Sequence, residues 1–126
     1  MVFLKKIYNV IWEPYIFITS NGISYYRKLL NKIIQVPGVF EIPVVISKNI
    51  KNFDGFIALG CVIKGETPHF DFISQATTNA IMKLSIDHKK PIGNGIITSL
   101  NKEQADKRSM KKAGEAAKAV ISVLSQ

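Results

Sequence analysis

The chain has 126 residues and a mass of 14.1 kDa, with 47% apolar and 21% charged residues. That suits one domain spanning residues 1–126, yet it is small for an enzyme that must also enclose a substrate, so a site shared between subunits is expected. The longest apolar runs, such as Phe56 to Ile63, fall far short of the roughly 20 residues that span a bilayer. Lys5, Lys6 and Glu13 interrupt any signal-like opening, so a soluble cytoplasmic protein with no membrane partner is expected. Cys61 is the sole cysteine; it excludes a disulfide frame and a thiolate metal cluster, and within an apolar strand it reads as a small core residue. The net charge of +8 would suit nucleic acid if the basic residues clustered with stacking aromatics. The lysines are instead scattered in ones and twos, which reads as a solvated surface with no nucleic-acid partner.

Residues 1–32 carry the weakest pattern. Ile7 to Ile11 reads as a first strand, Trp12 to Tyr15 as a tip after it, and Ser24 to Asn31 as a short helix, with Pro14 and Gly22 leaving little room for more. Ile33 to Val36 reads as a short strand ending at Pro37-Gly38. Pro43 belongs in the first turn of a helix continuing over Val44 to Ile50, before a turn at Asn52 to Gly55. The uninterrupted apolar run Phe56 to Ile63 suits a buried strand, and Thr67 and Pro68 suit the first turn of the helix that follows. Ile73, Ala76, Thr77, Ala80, Ile81 and Leu84 give that helix one packing face. A strand over Ile92 to Ile97 comes next, then a final helix whose packing face is Ala113, Ala116, Ala117, Val120, Ile121 and Leu124.

Strands alternating with helices at this spacing predict an α/β fold, a parallel sheet with helices on both sides. Open parallel sheets bind ligands beyond the carboxyl ends of their strands. Three such ends carry unusual residues, Gly38 to Glu41, Val62 to His69 and Gly93 to Gly95, and they are expected to converge.

At the second of these, the amides of Gly65, Glu66 and Thr67 with the Thr67 hydroxyl could cradle an anion at the positive end of the helix dipole. The competing role is capping, with Thr67 as N-cap and Glu66 solvated. His69 stands one turn into the helix, beside Asp71, and an imidazole can give and take protons near neutral pH. His88, at the far end, reads as solvent-exposed. Arg108 is one of only two arginines in a Lys-dominated chain; it offers a planar fork for phosphate, against a salt bridge with Glu103 or Asp106. Lys111 and Lys112 add charge beside it. Glu41 suits a polyol or amine ligand, or else caps the Pro43 helix. Asn94, between two glycines in a strand, suggests that a ligand or another backbone comes close.

Val36-Pro37-Gly38-Val39-Phe40-Glu41-Ile42-Pro43, followed by Gly60-Cys61-Val62-Ile63-Lys64-Gly65-Glu66-Thr67-Pro68-His69-Phe70-Asp71, resembles lumazine synthase. Pro91-Ile92-Gly93-Asn94-Gly95-Ile96-Ile97-Thr98, then Glu103-Gln104-Ala105, Arg108 and Lys112-Ala113-Gly114, fall in the family's order, so the resemblance covers about residues 33 to 126. It implies a three-layer αβα sandwich with a mainly parallel, flavodoxin-like sheet. It also implies the condensation of 5-amino-6-(D-ribitylamino)uracil with 3,4-dihydroxy-2-butanone 4-phosphate to 6,7-dimethyl-8-ribityllumazine, without metal or organic cofactor. The partners implied are those two small molecules and further copies of the chain, at least a pentamer with interfacial sites.

By the same resemblance His69 is the catalytic, proton-transferring residue, and Gly65, Glu66 and Thr67 hold the phosphate with Arg108 from a neighbouring subunit. Phe40 and Glu41 contact the ribityl chain beside the Val39 backbone, and Val62 and Ile63 bind the pyrimidine through main-chain groups. Tyr15 or Trp12 is the aromatic that stacks on the pyrimidine, with Tyr15 the better fit. Asn94, across the interface, stands where many members carry phenylalanine. The chain departs from the pattern over residues 1–35, which are shortened relative to the family. That departure keeps a second reading open, an assembly-competent shell or flavin-precursor-binding protein with impaired turnover.

Overall fold

The computed structural model describes residues 2–5 and 32–126. Four strands, β1 (Val2–Lys5), β2 (Lys32–Ile34), β3 (Phe56–Ile63) and β4 (Ile92–Ser99), form one sheet in the order β2-β1-β3-β4. All its pairings are parallel. The helices among the described residues are α1 (Ile42–Asn49), α2 (His69–His88) and α3 (Lys102–Leu124). The strand order is that of a flavodoxin-like, doubly wound sheet.

Alternation along β3 sorts its side chains to two faces, and each face finds a different cover. On one side Phe56 and Ala58 pack with Ile96 of β4, Ile42 and Ile46 of α1, and Ile81 of α2. On the other side Ile57 and Leu59 meet Ala116, Ala117 and Val120 of α3, and Ile97 meets Ala105 with Cys61 alongside. The expected three layers are therefore present. Small residues on α3 set a short helix-to-sheet distance, and Gly93 completes it, since a Cβ there would overlap the carbonyl oxygen of Ala116.

Several expected boundaries shift. The second strand is Lys32–Ile34 rather than Ile33 to Val36; Val36 is buried in the core beyond its end. Ile7 to Ile11, Trp12 to Tyr15 and Ser24 to Asn31 lie outside the described residues, and the observed first strand is Val2–Lys5. α2 starts at His69 with Pro68 in the cap position, so Thr67 and Pro68 precede the helix rather than forming its first turn. β4 runs on to Ser99, and α3 begins at Lys102, far upstream of the Ala113 face. Its opening is held by Asn101, whose side chain accepts from the Gln104 amide at 3.0 Å, an N-cap arrangement. No helix among the described residues is long and apolar enough to cross a membrane.

Candidate active site

Pro37 and Gly38 lead from β2 into a 3-10 turn, Val39–Glu41, closed by the Glu41 amide donating to the Gly38 carbonyl at 3.2 Å. Val39 is the buried residue of that turn, and it rests on Gly60: a Cβ at Gly60 would stand 2.5 Å from Val39 Cγ1. Seating Val39 against bare β3 backbone brings the turn to the carboxyl end of the strand. Phe40 stays 59% exposed there, so an aromatic ring is presented to solvent. Glu41 occupies the N-cap position of α1 without making a side-chain cap hydrogen bond. Its carboxylate is thus not used for the capping role that competed with ligand contact.

The end of β3 is paired on one side. Val62 and Ile63 stand opposite Thr98 and Ser99 of β4, while the register with β1 stops at Leu59. From Gly60 to Ile63 the backbone edge facing β1 has no strand partner among the described residues. Main-chain amides and carbonyls are obligatory hydrogen-bonding groups, so this edge is a candidate for ligand contact. The Val62 and Ile63 side chains are meanwhile half-buried in the cores on either face.

Beyond β3 the Lys64 amide still donates to the Ser99 carbonyl at 2.9 Å, and then the chain turns out through Gly65, Glu66, Thr67 and Pro68, all exposed. Among the described residues no hydrogen bond takes up the amides of Gly65, Glu66 or Thr67. The Thr67 hydroxyl accepts from the His69 amide at 3.4 Å, a long capping-type bond at the start of α2. Free donors at the start of a 20-residue helix make an anion-favouring corner. The His69 side chain is exposed on that corner and not packed into hydrocarbon.

The Val39–Glu41 turn packs against both β3 and α2, the two elements that the Gly65–Pro68 segment joins. The third of the expected strand ends lies elsewhere: Gly93 and Gly95 pair with Ile57 and Leu59 in the amino-terminal half of β3, towards the opposite end of the strand from the corner. The glycines there serve packing, since a Cβ at Gly93 would strike the Ala116 backbone and one at Gly95 the Leu59 side chain. Asn94 is exposed on the edge strand, and its Oδ1 accepts from the Ile96 amide at 3.1 Å.

Arg108 stands apart as well. Its Nη1 donates to the Thr98 carbonyl at 2.9 Å, and neither Glu103 nor Asp106 pairs with it: Glu103 bridges Lys107 at 2.7 Å, and Asp106 makes no ion pair among the described residues. Arg108 instead lines a cleft of about 410 Å³ along the outer edge of β4, with Ile96, Thr98, Lys112 and Glu115 among its walls. None of the residues from Val39 to Glu41 or from Gly65 to His69 borders this cleft. Tyr15 and Trp12 lie outside the described residues.

Cys61, half-buried on the α3 face, has its thiol pushed up from 9.0 to about 11 by desolvation, with the Asp106 carboxylate adding to the effect. It is a core thiol and not a nucleophile at neutral pH. Reading the sequence missed Gly60, the residue that seats Val39; its only signal was a glycine inside an apolar strand.

Main-chain donors, a threonine hydroxyl and an imidazole stand beyond one strand end of this parallel α/β sheet, the place where open sheets of the kind take ligands. The sequence profile of 6,7-dimethyl-8-ribityllumazine synthase matches residues 27–126, and the chain belongs to that family. Among its relatives is the 6,7-dimethyl-8-ribityllumazine synthase of Nitratidesulfovibrio vulgaris, 44% identical over 95 residues, which are 71% of this chain and 61% of that protein. The enzyme of the same name from Rhodopseudomonas palustris is 40% identical over 107 residues, 76% of this chain and 66% of the relative. That of Corynebacterium kroppenstedtii is 44% identical over 77 residues, 61% and 48% of the respective lengths. The chain thus spans about half to two thirds of the length of these relatives.

Proposed function

We propose that the protein forms 6,7-dimethyl-8-ribityllumazine from 5-amino-6-(D-ribitylamino)uracil and 3,4-dihydroxy-2-butanone 4-phosphate, a step of riboflavin biosynthesis. The observation that carries this reading is the seating of the Val39–Glu41 turn on Gly60 of β3, the strand that leads into the Gly65–His69 corner, in a chain of this family.

The chemistry asks for orientation and proton transfer. The aromatic amine adds to the ketone carbonyl and loses water to an imine; loss of a proton and of phosphate leaves an enol that tautomerises to a second carbonyl, and the neighbouring amine closes the ring on it with loss of a second water. His69 carries protons between nitrogen and oxygen in these steps. Main-chain edges at Val62 and Ile63 hold the pyrimidine. Phe40 and Glu41 contact the ribityl chain, Glu41 by accepting hydrogen bonds from its hydroxyls, beside the Val39 backbone. Tyr15 or Trp12 supplies the stacking ring. The Gly65, Glu66 and Thr67 amides take the phosphate, with Glu66 turning its own carboxylate to solvent.

In this reading the site is interfacial. The Arg108 cleft and Asn94 lie on the β4 side of the chain, away from the corner, and a neighbouring copy brings them to it, in a ring of at least five. A fork of guanidinium donors then meets the phosphate opposite the amides. The expectation of a cytoplasmic protein belongs with this reading.

The test is the growth of lumazine absorbance from the two substrates. Turnover by the native chain, lost on His69→Ala with assembly unchanged in sedimentation, supports an enzyme. Binding of the pyrimidine with no turnover by the native chain would support the shell or precursor-binding protein instead.

A further inference from the structure

β4 ends at Ser99 and the N-cap of α3 is Asn101, so Leu100 is the single residue between strand and helix. Its side chain is exposed, and the corner is fixed by hydrogen bonds instead. Before it, the Ser99 carbonyl accepts the Lys64 amide at 2.9 Å, which continues the pairing with β3. After it, Asn101 accepts the Gln104 amide through its side chain at 3.0 Å and the Ala105 amide through its carbonyl at 3.2 Å. Leu100 itself is held by Gln104, whose Oε1 accepts the Leu100 amide at 3.0 Å.

In the ordinary capping box the residue three beyond the N-cap reaches back to the N-cap amide. Gln104 reaches one residue further, to the linker, so its bond sets the angle at which α3 leaves β4 as well as closing the helix start. Ala105 packs against Ile97 close by, but a methyl group limits how near the helix comes to the sheet and leaves its direction free.

What depends on that direction is Arg108, one turn further along the same side of α3. Among the described residues its side chain makes one hydrogen bond, to the Thr98 carbonyl at 2.9 Å, and no ion pair. Thr98 stands two residues before Leu100 and Arg108 four after Gln104, so the clasp and the tether join the same two elements. A swing of α3 about the Leu100 linker would draw the guanidinium off Thr98 and re-aim the donors it has left. Gln104 does not border the cleft that Arg108 lines, so it acts from outside it.

We infer that Gln104 is a positioning residue for Arg108: by holding the Leu100 amide it fixes α3 against the end of β4 and so aims the guanidinium. The choice of phosphate as the anion that Arg108 meets rests on the function proposed above; the coupling of Gln104 to Arg108 does not.

The experiment measures the affinity of the assembled protein for inorganic phosphate by calorimetry at low salt, with lumazine formation followed in parallel. Gln104→Leu keeps the bulk of the side chain and removes the acceptor, while Gln104→Asn keeps the amide and is too short to reach Leu100. Each should weaken phosphate binding about fivefold, since a small misplacement of a charged donor is enough. Each should also raise KM for the phosphorylated butanone and leave KM for the pyrimidine unchanged. In an Arg108→Ala background neither should weaken phosphate binding further, because an effect carried by the guanidinium has nothing left to act on, whereas the loss of a merely structural bond adds in full. Phosphate affinity within about twofold of native in both variants, or a loss as large in the Arg108→Ala background, overturns the inference even where the native protein makes lumazine. If the native protein makes none, yet phosphate binding responds to Gln104 only while Arg108 is present, the positioning stands and the proposed reaction falls.

Discussion

Val39 Cγ1 stands 2.5 Å from the point where a Cβ of Gly60 would be, so the 3-10 turn that presents Phe40 and Glu41 is seated on bare β3 backbone. A methyl group at Gly60 has to lift that turn. Gly60→Ala should lower stability by about 1–3 kcal/mol, the usual range for overpacking, and should raise KM for the pyrimidine substrate more than for the phosphorylated one. Chemical denaturation and steady-state kinetics on the same preparation check both halves.

Gly93 and Gly114 should answer the same substitution in opposite directions. A Cβ at Gly93 would strike the carbonyl oxygen of Ala116, a backbone atom with little freedom to retreat, whereas at Gly114 nothing lies within 4 Å. Gly93→Ala should cost about 3 kcal/mol or more by prising α3 off the sheet. Gly114→Ala, inside a helix, should add about 0.5–1 kcal/mol. Urea midpoints at constant m-value decide the signs.

These contrasts mark what the amino-acid pattern could reveal. The bounds of β3, Phe56–Ile63, were legible because an unbroken apolar run between turn residues has few other readings. The first half of α3 was not, because Lys102 to Lys112 are mostly polar and its buried residues, Ala105 and Ser109, are too small to mark a face. Gly93 to Gly95 was read as a ligand-binding strand end for a related reason: a glycine required by a helix backbone and one required by a ligand look alike in sequence. Of the candidate site, the Gly65–His69 corner and the Val39–Glu41 turn were legible from glycine, proline and histidine at a strand end. The partner of Arg108 was not, since the carbonyl of Thr98 leaves no mark on residue identity.

Thr77 is a buried hydroxyl in α2 with no hydrogen-bond partner among the described residues. An unpaired buried hydroxyl costs free energy that a methyl of the same shape does not. Thr77→Val should therefore raise stability by about 1 kcal/mol, less the small helix penalty of valine. The unfolding midpoint reads the change.

Alkaline stability should carry the signature of Cys61. Its thiol is held at about 11 in the folded chain, up from 9.0, chiefly by desolvation and then by Asp106. Above pH 9 the unfolded chain loses this proton while the folded chain keeps it, so the unfolded state binds fewer protons and stability falls as pH rises. The contribution is complete below pH 9 and gone above about pH 11. Cys61→Ala should flatten the unfolding free energy over that window relative to the native chain. The native thiol should also react slowly with alkylating reagents at pH 8 until denaturant is added.

The account's central claim is that the Gly65–His69 corner of one copy and Arg108 of the next form one site. Co-expressing His69→Ala chains with Arg108→Ala chains tests it most directly, with lumazine formation as the readout. Each variant alone should be inactive, and the mixed assembly should recover about a quarter of native activity per subunit, because random association in a ring joins an intact corner to an intact arginine at one interface in four. Mixed assemblies as inactive as either parent would contradict the claim.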